Sequence, residues 1–547
     1  MSRAYKVYST RETPQNQLIP GSTQVANSAG GYAFAVDDWK RLDRFICLGS
    51  EGGTYYIKEK ALTLENADAV KRCIDADGHR VVARVAEISD AGRAPKNDPA
   101  LFVLAMCAGL GDTNTRRYAF EVLPSVARIG THLFHFIDYV QQSRGWGRGL
   151  RNAVANWYNS KTPDNLAYQV VKYQQRDKWS HRDVLRLAGP APVTDIHNAI
   201  YRWIVTGGTE LGQRVVSRNS STKIYEALSV ELPKIIVGFE RAKIAQNAKE
   251  VATLIRDYGL PREAVPTQFL TEKVVWDALL ESMPMTAMIR NLANMTRIGV
   301  VEPMSDGQHK VVDELSNDDR IKKARMHPLQ VLVALKTYQE GKGERSDKTW
   351  IPNQKIVDAL DGAFYKAFGN VESAGKRTLI CLDVSGSMGW GQVAGMTGIT
   401  PRVGSAAMAL VTEATEPENH VMGFSHQLVP INVSARMRLD TVVSVIEKIP
   451  MGGTDCSLPM VWALDSGVKI DTFIVYTDSE TWAGKIHPVQ ALRKYRDKMG
   501  IPAELIVVGM MSNGFTIADP SDAGMLDIVG YDTATPQVMA DFSAGRI

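Results

Sequence analysis

The stretch Asp383-Val-Ser-Gly-Ser-Met388 decides the fold of the C-terminal third of the chain. It follows a short apolar run at 377–382, which has the length and composition of a buried parallel strand. One Asp and two Ser at alternate positions past such a strand place three oxygen side chains at its carboxyl end, where open α/β sheets bind ligands. These oxygens are hard donors that suit Mg²⁺ or a similar cation better than zinc. The stretch therefore predicts an α/β domain with a cation site.

Two later stretches supply further oxygen ligands. Gly452-Gly-Thr-Asp455 offers a hydroxyl on a glycine-permitted loop, and a second apolar run at 472–477 ends in the carboxylate of Asp478. Asp and Ser are also common in turns and helix caps, so plain turn chemistry is the alternative interpretation of any one stretch. Three such stretches in this order favour a cation site.

This arrangement resembles the metal-ion-dependent adhesion site of von Willebrand factor A domains. The resemblance implies that a divalent cation, which we expect to be Mg²⁺, is held by Asp383, Ser385, Ser387, Thr454 and Asp478. It also implies that the cation binds an oxygen of a ligand or of a protein partner. Because no water-activating base stands beside these residues in the sequence, we do not expect hydrolysis, and we predict that the protein is not an enzyme.

The chain has the composition of a water-soluble protein with more than one domain. Its 547 residues exceed what one core usually organises, and its hydrophobic (44%) and charged (22%) fractions are ordinary. No apolar run reaches the roughly 18 residues of a membrane span, and the first residues lack the apolar segment of a signal peptide. Five scattered cysteines form no CxxC pair, which indicates reduced thiols and predicts a cytoplasmic protein without a zinc site.

The charges are distributed unevenly along the chain. Residues 371–547 contain 13 basic and 19 acidic side chains, whereas residues 1–370 contain 50 basic and 41 acidic ones. Between residues 140 and 190 there are nine basic side chains and three acidic ones. This basic focus predicts a polyanion as the partner of the larger, N-terminal part.

Residue patterns divide the chain into three segments. Residues 1–30 are rich in Ser, Gly, Pro, Asn and Gln and predict an extended arm. Residues 31–370 show helical periodicity in short segments with few β-branched runs between them, which predicts an α-helical repeat domain of the solenoid type. In residues 371–547 apolar runs alternate with helical segments, which predicts a doubly wound, mostly parallel sheet. The expected strands are 377–382, 472–477 and 505–508, and the expected helices are 404–415, 439–449 and 486–499.

The basic residues between 140 and 190 fall on predicted helices. Arg148 and Arg151 share one side of a helix whose opposite side carries Leu150, Val154 and Trp157. On the helix expected next, Lys172 and Arg176 stand four residues apart, which would place both on one face.

A further helix is predicted to begin after Lys178. Ser180 and Asp183 have the spacing of a capping box, which places His181 in the first turn and Arg186 in the next. Guanidinium groups, the free amides of a helix start and a His beside a Trp suit phosphate contacts with base stacking. A solvated helix face explains any single Arg better, and His181 alone could be a structural histidine that bonds to the backbone. The cluster as a whole favours nucleic acid, and RNA rather than duplex DNA, because no duplex-reading motif is present.

A series of stretches along the chain carries a more specific resemblance. They are Phe45-Ile-Cys-Leu-Gly-Ser-Glu-Gly-Gly-Thr-Tyr-Tyr56, Thr131-His-Leu-Phe134, Trp179-Ser-His-Arg-Asp-Val-Leu-Arg186, Met283-Pro-Met-Thr-Ala-Met-Ile-Arg-Asn-Leu292, His327-Pro328 and Ala363-Phe-Tyr-Lys-Ala-Phe368. In this order they resemble the Ro autoantigen family, which has bacterial members. The resemblance implies a ring of HEAT-type helical repeats that is closed by a von Willebrand A domain.

The resemblance also implies an RNA-binding scaffold that acts in noncoding RNA quality control or the stress response. Such proteins bind small noncoding Y RNA on the outside of the ring and single-stranded 3′ ends of misfolded or damaged RNAs through its hole. The implied outer contacts are Lys172, Arg176, His181 and Arg186, with Arg148, Arg151 and Lys178 nearby. Arg128 and His132 are implied on the inner face of the ring. In bacterial relatives a Y RNA can tether the protein to polynucleotide phosphorylase, and the ring shape leads us to expect a monomer.

Two other functions stay open at this point. A cation-dependent protein-adhesion adapter would use the cation site to capture an acidic residue of a partner, with the helical ring as a protein platform. A metal-dependent nuclease would require RNA cleavage that depends on Asp478, and we expect none.

Overall fold

The computed structural model describes most of the chain. The described residues are 11–49, 59–94, 96–207, 213–219, 222–227, 231–343, 347–369, 371–393, 398–511, 513–530 and 532–546. Residues 1–10 of the predicted arm lie outside these ranges. Among the described helices, none is both long and apolar enough to cross a membrane.

The N-terminal part is mainly helical, as predicted. In chain order its strands and helices are β1 (Gln24–Ala26), β2 (Tyr32–Ala35), α1 (Asp38–Leu48), α2 (Glu59–Ala91), α3 (Asp98–Leu110), α4 (Thr113–Val126), α5 (Gly130–Ser143), α6 (Arg148–Asn159), α7 (Pro163–Lys172), β3 (Gln175–Arg176), β4 (Trp179–Ser180), α8 (His181–Ala188), α9 (Asp195–Thr206), β5 (Gln213–Asn219), β6 (Thr222–Ala227), α10 (Lys234–Ile244), α11 (Ala248–Tyr258), α12 (Lys273–Ser282), α13 (Met285–Ile298), α14 (Asp306–Ser316), α15 (Asp318–Lys323), α16 (Pro328–Glu340) and α17 (Gln354–Lys366).

Several of these helices start at side-chain caps and bury an apolar side. Asp112 and Thr162 accept hydrogen bonds from first-turn backbone N–H groups of α4 and α7. On α6 the side predicted to be apolar is buried, with Leu150, Val154 and Trp157 in the core. Each helix packs mainly on helices one to three positions along the chain. That pattern of neighbour contacts is typical of a solenoid.

Two local predictions about the helical part are wrong. We expected Lys172 and Arg176 on one helix, but α7 ends at Lys172 and Arg176 lies in β3. β3 and β4 form a hairpin whose turn residues, Asp177 and Lys178, have φ values of 51° and 66°. Such a turn reverses the chain within two residues, and nothing in the four-residue spacing signals it. The second error is the antiparallel hairpin β5–β6 between α9 and α10, where we expected helices alone.

The C-terminal part is an α/β domain, which we call the A domain. Its elements are β7 (Thr378–Asp383), α18 (Pro401–Thr415), β8 (Asn419–Phe424), β9 (Leu428–Pro430), α19 (Leu439–Ile446), α20 (Leu458–Asp465), β10 (Thr472–Thr477), α21 (Pro488–Met499), β11 (Glu504–Gly509), β12 (Phe515–Thr516), β13 (Met525–Val529) and α22 (Thr535–Ser543). One sheet has the strand order β13-β11-β10-β7-β8-β9, and its edge strand β9 is antiparallel. Alternate residues of β7 face two different cores, so both faces of the sheet are covered. This confirms the predicted mostly parallel sheet.

The sequence located the centre of this sheet better than its edges. The three expected strands correspond to β7, β10 and β11, and the three expected helices correspond to α18, α19 and α21. β8, β9 and β13 were not predicted. They lie on the flanks of the sheet and are less fully buried than β7 and β10, so their apolar signal is weaker.

The described part of the predicted arm packs on the A domain. β1 pairs with β2, and β2 pairs with β12, which forms a small antiparallel sheet from the two ends of the chain. Gly31 lies so close to the loop after β10 that a side chain there would collide with the carbonyl oxygen of Thr481. The polar residues of the arm therefore serve as hydrogen-bonding groups in a docked segment.

Both ends of the helical array contact the A domain. At the first end α1 packs on β13, and Arg93 Nε donates to Asp532 Oδ2 at 2.9 Å. At the other end the hydroxyl of Tyr365 in α17 donates to the carbonyl oxygen of Met437 at 3.1 Å. The array and the A domain therefore form a closed circuit of contacts, which agrees with the ring that the family resemblance implies.

A buried ion pair lies at the junction of α1 with the A domain. Arg44 Nη2 and Asp527 Oδ1 are 2.8 Å apart, and their side chains are 1% and 2% exposed. The other guanidinium nitrogen, Nη1, donates to the carbonyl oxygens of Asn513 and Phe515. Thr516 Oγ1 also donates to the carboxylate. Buried charges are tolerated when they are paired and when most of their other donors and acceptors are satisfied in this way. Of the guanidinium donors, Nε is buried and has no hydrogen-bond partner among the described residues.

Removing one partner of this pair should destabilise the protein strongly. We expect Arg44→Met to lower the free energy of unfolding by about 3–5 kcal/mol, because it leaves the carboxylate of Asp527 buried without its cation. Urea denaturation followed by circular dichroism measures this. The control is Arg72→Met, which removes an exposed ion pair between Arg72 on α2 and Asp38 on α1, the helix that also carries Arg44. This change should lower the free energy of unfolding by only about 0–1 kcal/mol. Equal losses in the two variants would contradict the role assigned to the buried pair.

Candidate cation site and basic surface

The carboxylates and serines of the predicted cation site meet at the carboxyl ends of β7 and β10, which are neighbours in the sheet. Asp383 closes β7, and its Oδ1 accepts a hydrogen bond from the backbone N–H of Ser385 at 2.9 Å. Its Oδ2 accepts from Thr477 Oγ1 at 2.7 Å. The hydroxyl oxygens of Ser385 and Ser387 are 3.1 Å apart. Asp478 follows β10 directly, so two strand ends contribute to one cluster.

Thr454 lies on the loop before α20 and is buried beside the loop that follows Asp478. Its carbonyl oxygen accepts hydrogen bonds from the backbone N–H groups of Trp482 and Ala483, both at 3.0 Å. The hydroxyl of Thr481 donates to the same oxygen at 3.2 Å. These bonds fix the two ligand-bearing loops against each other.

The two carboxylates pair with no cationic side chain among the residues that the structure describes. Burial raises the pKa of Asp383 to about 7, and the charge of Asp478 adds to the shift. Burial also raises the pKa of Asp478. The nearby Arg402 donates to the carbonyl oxygens of Val384 and Ser385 instead, and no Lys or Arg in the described ranges pairs with either acid.

This donor set fits a hard divalent cation. Two buried carboxylates with raised pKa values are stabilised by a nearby positive charge, and serine and threonine hydroxyls are ligands that Mg²⁺ accepts. Among the described residues, no three His, Cys, Asp or Glu side chains are grouped as a metal site. A cation at this site would therefore need hydroxyl oxygens as ligands in addition to the two carboxylates.

Sequence reasoning missed the residues that hold the loop after β10. Glu480 Oε2 accepts a hydrogen bond from the backbone N–H of Ser28 in the arm at 2.9 Å. The side-chain amide of Asn513 donates to the carbonyl oxygen of Asp478 at 2.6 Å, and Asn513 is itself bound by Arg44. These partners are 35 to 469 residues apart in sequence, and no local pattern could have identified them.

Exposed arginines on two neighbouring helices form what we call the basic surface. α6 and α8 pack against each other. Arg148 and Arg151 on α6 and Arg182 and Arg186 on α8 are all exposed. Across the described ranges none of these four side chains has an acidic partner. Unpaired guanidinium groups on adjacent helices create a positive potential that attracts a polyanion.

Two tryptophans connect the starts of these helices. The ring centroids of Trp146 and Trp179 are 5.9 Å apart, and each residue stands two positions before its helix. The N-cap of α6, Gly147, makes no side-chain capping bond, whereas α8 has the predicted capping box of Ser180 and Asp183. Half-buried indoles beside unpaired arginines suit base stacking. The pair was not predicted, because its members are distant in sequence.

The hairpin β3–β4 presents the other predicted basic residues. Arg176 and Lys178 are exposed, and Arg176 Nε lies 3.6 Å from the carboxylate of Asp177. Lys172 is partly buried, and its ammonium group donates to the hydroxyl of Tyr168 at 3.0 Å. Arg176 and Lys178 are therefore available to extend the basic surface, whereas Lys172 is held by the protein itself.

His181 lies in the first turn of α8, as predicted, but its side chain is only 3% exposed. Its Nδ1 shares a 2.7 Å hydrogen bond with the hydroxyl of Tyr158, and its ring packs near Phe134 and Trp157. Burial lowers the pKa of His181 to about 3, so the imidazole is neutral at pH 7. A buried, neutral imidazole does not offer a phosphate contact. The structural alternative is therefore favoured, with the hydroxyl of Tyr158 as a hydrogen-bonding partner of the ring.

Arg128 and His132 lie together near the start of α5. Arg128 Nη1 donates to the carbonyl and hydroxyl oxygens of Ser89, both at 3.0 Å, which links this turn to the end of α2. His132 is partly buried, and burial together with the charge of Arg128 lowers its pKa to about 3. Their contact with RNA stays a prediction.

His181 should make the stability of the protein depend on pH. Its pKa is about 3 in the native protein, against 6.5 for an unperturbed histidine. Below about pH 6.5 the unfolded chain takes up a proton that the native protein does not, so stability falls as the pH is lowered towards 3. When the pH is lowered from 7 to 5, we expect this histidine to reduce the free energy of unfolding of the unsubstituted protein by up to about 2 kcal/mol. The variant His181→Phe should not show this part of the loss.

Urea denaturation at each pH measures this difference. The control is Tyr158→Phe, which removes the hydrogen bond but keeps the histidine, so its pH dependence should match that of the unsubstituted protein. The same pH dependence in all three proteins would show that His181 is not the source of this loss of stability.

Comparison with known proteins supplies a family for the chain. The model of the TROVE domain matches residues 25–337, and the model of the Ro60 vWA domain matches residues 377–543. The chain is 40% identical to RNA-binding protein RO60 of Deinococcus radiodurans over 536 residues, which is 98% of each chain. It is 35% identical to RNA-binding protein RO60 of Caenorhabditis elegans over 586 residues, which covers 96% of this chain and 90% of the relative.

A solved structure agrees with the fold and the order of domains. The crystal structure of the Deinococcus radiodurans Ro (RSR) protein matches with a TM-score of 0.69 and 40% identity. The match covers 93% of this chain and 100% of the other. The helical array, the A domain that closes it and the near full-length similarity lead to one conclusion: the chain belongs to the Ro60 family, with a TROVE domain followed by a Ro60-type vWA domain.

Proposed function

We propose that this protein is an RNA-binding scaffold of a ribonucleoprotein and not an enzyme. The observation that carries the proposal is the basic surface, where four exposed arginines without acidic partners stand beside the pair Trp146 and Trp179. Phosphates bind guanidinium groups, and unpaired bases stack on indoles. Relatives similar over nearly the whole chain are named RNA-binding proteins, which supports the same function.

The RNAs that we propose are a small structured RNA of the Y RNA class and misfolded noncoding RNAs. The first would bind the basic surface, and the single-stranded 3′ ends of the second would pass the inner side of the ring near Arg128 and His132. The role is RNA quality control or the stress response, performed by a monomer. An exoribonuclease such as polynucleotide phosphorylase is a further proposed partner. A cytoplasmic location is supported by five cysteines that are all free.

The second part of the proposal concerns the A domain, which we propose holds Mg²⁺. The ligands would be Asp383, Ser385, Ser387, Thr454 and Asp478. The ion would neutralise the buried acids, and its open coordination position would take an oxygen from another molecule. The chemistry that the ion supplies is binding. The cation-dependent adapter stays as the alternative function, since it uses this same site without RNA.

Charge reversal on the basic surface tests RNA binding. We expect the combined variant Arg148→Glu, Arg151→Glu and Arg186→Glu to lose at least about 100-fold in affinity, because three phosphate contacts become repulsive. The slope of log K against log salt concentration should also become shallower by about 2–3, because fewer phosphates are neutralised. The measurement is fluorescence anisotropy over a KCl series with a hairpin RNA that carries a single-stranded 3′ tail.

The matched control reverses three other exposed basic residues, Lys322, Lys323 and Lys355, with the same change in net charge. It should bind within about twofold of the unsubstituted protein, since it leaves every proposed phosphate contact in place. Equal losses in both variants would mean that net charge and not a site attracts the RNA. Weak RNA binding by the unsubstituted protein would favour the adapter, and RNA cleavage that Asp478→Ala abolishes would favour the nuclease.

Mg²⁺ should stabilise the protein through the A domain. Binding to the native state alone raises the free energy of unfolding by about 2.7 kcal/mol when the free ion is at 100 times its Kd. We therefore expect excess Mg²⁺ over EDTA to raise the Tm, measured by calorimetry, and Asp383→Ala to abolish the increase. The control Asp465→Ala changes an exposed acid at the end of α20 and should keep the increase. An equal response in both variants would contradict the assigned ligands.

A further inference from the structure

The N-terminal arm contacts both the loop before α20 and the loop after β10. Gln15 of the arm is fully buried, and its side-chain amide bridges the two loops. Its Nε2 donates to Asp455 Oδ1 at 2.7 Å, next to Thr454, and to the carbonyl oxygen of Ile486 at 2.8 Å. Its Oε1 accepts a hydrogen bond from the hydroxyl of Thr481. One arm residue therefore binds two different segments of the A domain through the donor and the acceptor of a single amide.

Thr481 transmits the contact of the arm to Thr454. Its hydroxyl faces two acceptors, Oε1 of Gln15 and the carbonyl oxygen of Thr454, the second at 3.2 Å. The same hydroxyl accepts a hydrogen bond from the backbone N–H of Cys456 at 3.2 Å. The carbonyl oxygen of Thr481 accepts from the side-chain amide of Asn27, a second arm residue, at 2.8 Å. The side chain and the backbone of Thr481 are thus both held by the arm.

Glycines permit this close approach, and they also make the loop before α20 depend on it. A Cβ atom on Gly484 would collide with both the amide of Gln15 and the carboxylate of Asp455. The stretch Gly452-Gly-Thr454 places two glycines directly before the proposed ligand. Glycine loses more backbone freedom than other residues when it is ordered, so such a loop is costly to fix. Contacts that fix it before the cation arrives therefore increase the affinity of the site.

We propose that the N-terminal arm is part of the cation site, with Gln15 as a positioning residue for Thr454. This inference rests on the proposed Mg²⁺ site. Gln15 acts through Thr481 and Asp455, which in turn hold the loop of Thr454. Residues that orient metal ligands in this way typically change metal affinity by about 10–100-fold when they are substituted.

Coupling between the arm and the cation acts in both directions. Because docking of the arm raises the affinity for Mg²⁺, bound Mg²⁺ must stabilise the docked arm by the same factor. The arm also joins the two ends of the chain, since its strand β1 pairs with β2, and β2 pairs with β12 of the A domain. Occupancy of the cation site therefore stabilises the junction between the N-terminal segment and the A domain.

Calorimetric titration of the full-length protein with Mg²⁺ tests the positioning role. We expect Gln15→Ala to weaken Mg²⁺ binding at least about tenfold, a difference of about 1.4 kcal/mol. The matched control Gln24→Ala removes another buried side-chain amide of the arm, which shares a 3.0 Å hydrogen bond with Nδ1 of His487. Both variants should lower the Tm in EDTA, but Gln24→Ala should keep the affinity for Mg²⁺ within about twofold, since it leaves the contacts of Gln15 in place.

Thr481 supplies a second pair of variants that change little in shape. Thr481→Val removes the hydroxyl and keeps a branched side chain, so it should weaken Mg²⁺ binding at least about fivefold. Thr481→Ser keeps the hydroxyl and loses only a methyl group, so it should bind Mg²⁺ within about twofold of the unsubstituted protein. This pair tests the same hydrogen bonds without Gln15→Ala, and it remains informative if that variant does not fold.

Hydrogen exchange measured by mass spectrometry tests the reverse direction. The backbone N–H of Gln15 bonds to the carbonyl oxygen of Gly484. The backbone N–H of Ser28 bonds to the carboxylate of Glu480. Excess Mg²⁺ over EDTA should slow exchange in peptides that contain these two amides at least about fivefold, and Asp383→Ala should abolish the effect. Peptides from α11, which packs on α10 and α12, should exchange at the same rate with and without the ion.

Four outcomes would overturn the inference. Equal Mg²⁺ affinity in Gln15→Ala and the unsubstituted protein would remove the positioning role and leave the cation site in place. Equal losses in Gln15→Ala and Gln24→Ala would make the arm a general structural support. Exchange in the arm that does not respond to bound Mg²⁺ would remove the coupling. No Mg²⁺ binding by the unsubstituted protein would remove the cation site itself, and this inference with it.

Discussion

The buried pair of Arg44 and Asp527 is the contact on which the rest of the structure depends. It joins the first helix of the TROVE domain to the last strand of the A-domain sheet. The same guanidinium group binds Asn513, whose side-chain amide holds the carbonyl oxygen of Asp478. Because the arm enters the molecule just before α1, closing the helical array also docks the arm against the ligand loops. One desolvated ion pair thus connects ring closure with the geometry of the proposed cation site.

The basic surface and the proposed cation site differ in whether their charged side chains are exposed or buried. On α6 and α8 the arginines are exposed and have no acidic partner within the described ranges, so their field extends into solvent and attracts a polyanion. In the A domain burial raises the pKa values of Asp383 and Asp478, neither of which pairs with a Lys or Arg of the described residues, and this favours a bound cation. An exposed positive field of the first kind favours an extended polyanion, whereas buried oxygen donors of the second kind favour a single hard cation.

Local patterns predicted the chemistry of both regions better than their detailed structure. The alternation Asp-x-Ser-x-Ser after one buried strand and the Asp after a second identified side chains that the fold brings to two neighbouring strand ends. The ligand role of Thr454 stays a prediction. The basic cluster was also visible, but the helix over Lys172 and Arg176 was not correct, because the chain turns at Asp177 and Lys178 without glycine. His181 was located in the correct turn, yet its burial depends on Phe134, Trp157 and Tyr158 from α5 and α6. Neighbouring residues in sequence carry no information about such packing.

By itself the sequence determined the order of domains, the helical and α/β fold classes and the capping box of α8. Each of these is encoded within a few residues, by periodicity, by spacing or by the type of side chain. Only the tertiary structure decided where the arm docks, which arginines in the described ranges lack acidic partners and that His181 is buried. Those features arise from contacts between separate segments of the chain, from tens of residues apart around His181 to several hundred where the arm meets the A domain.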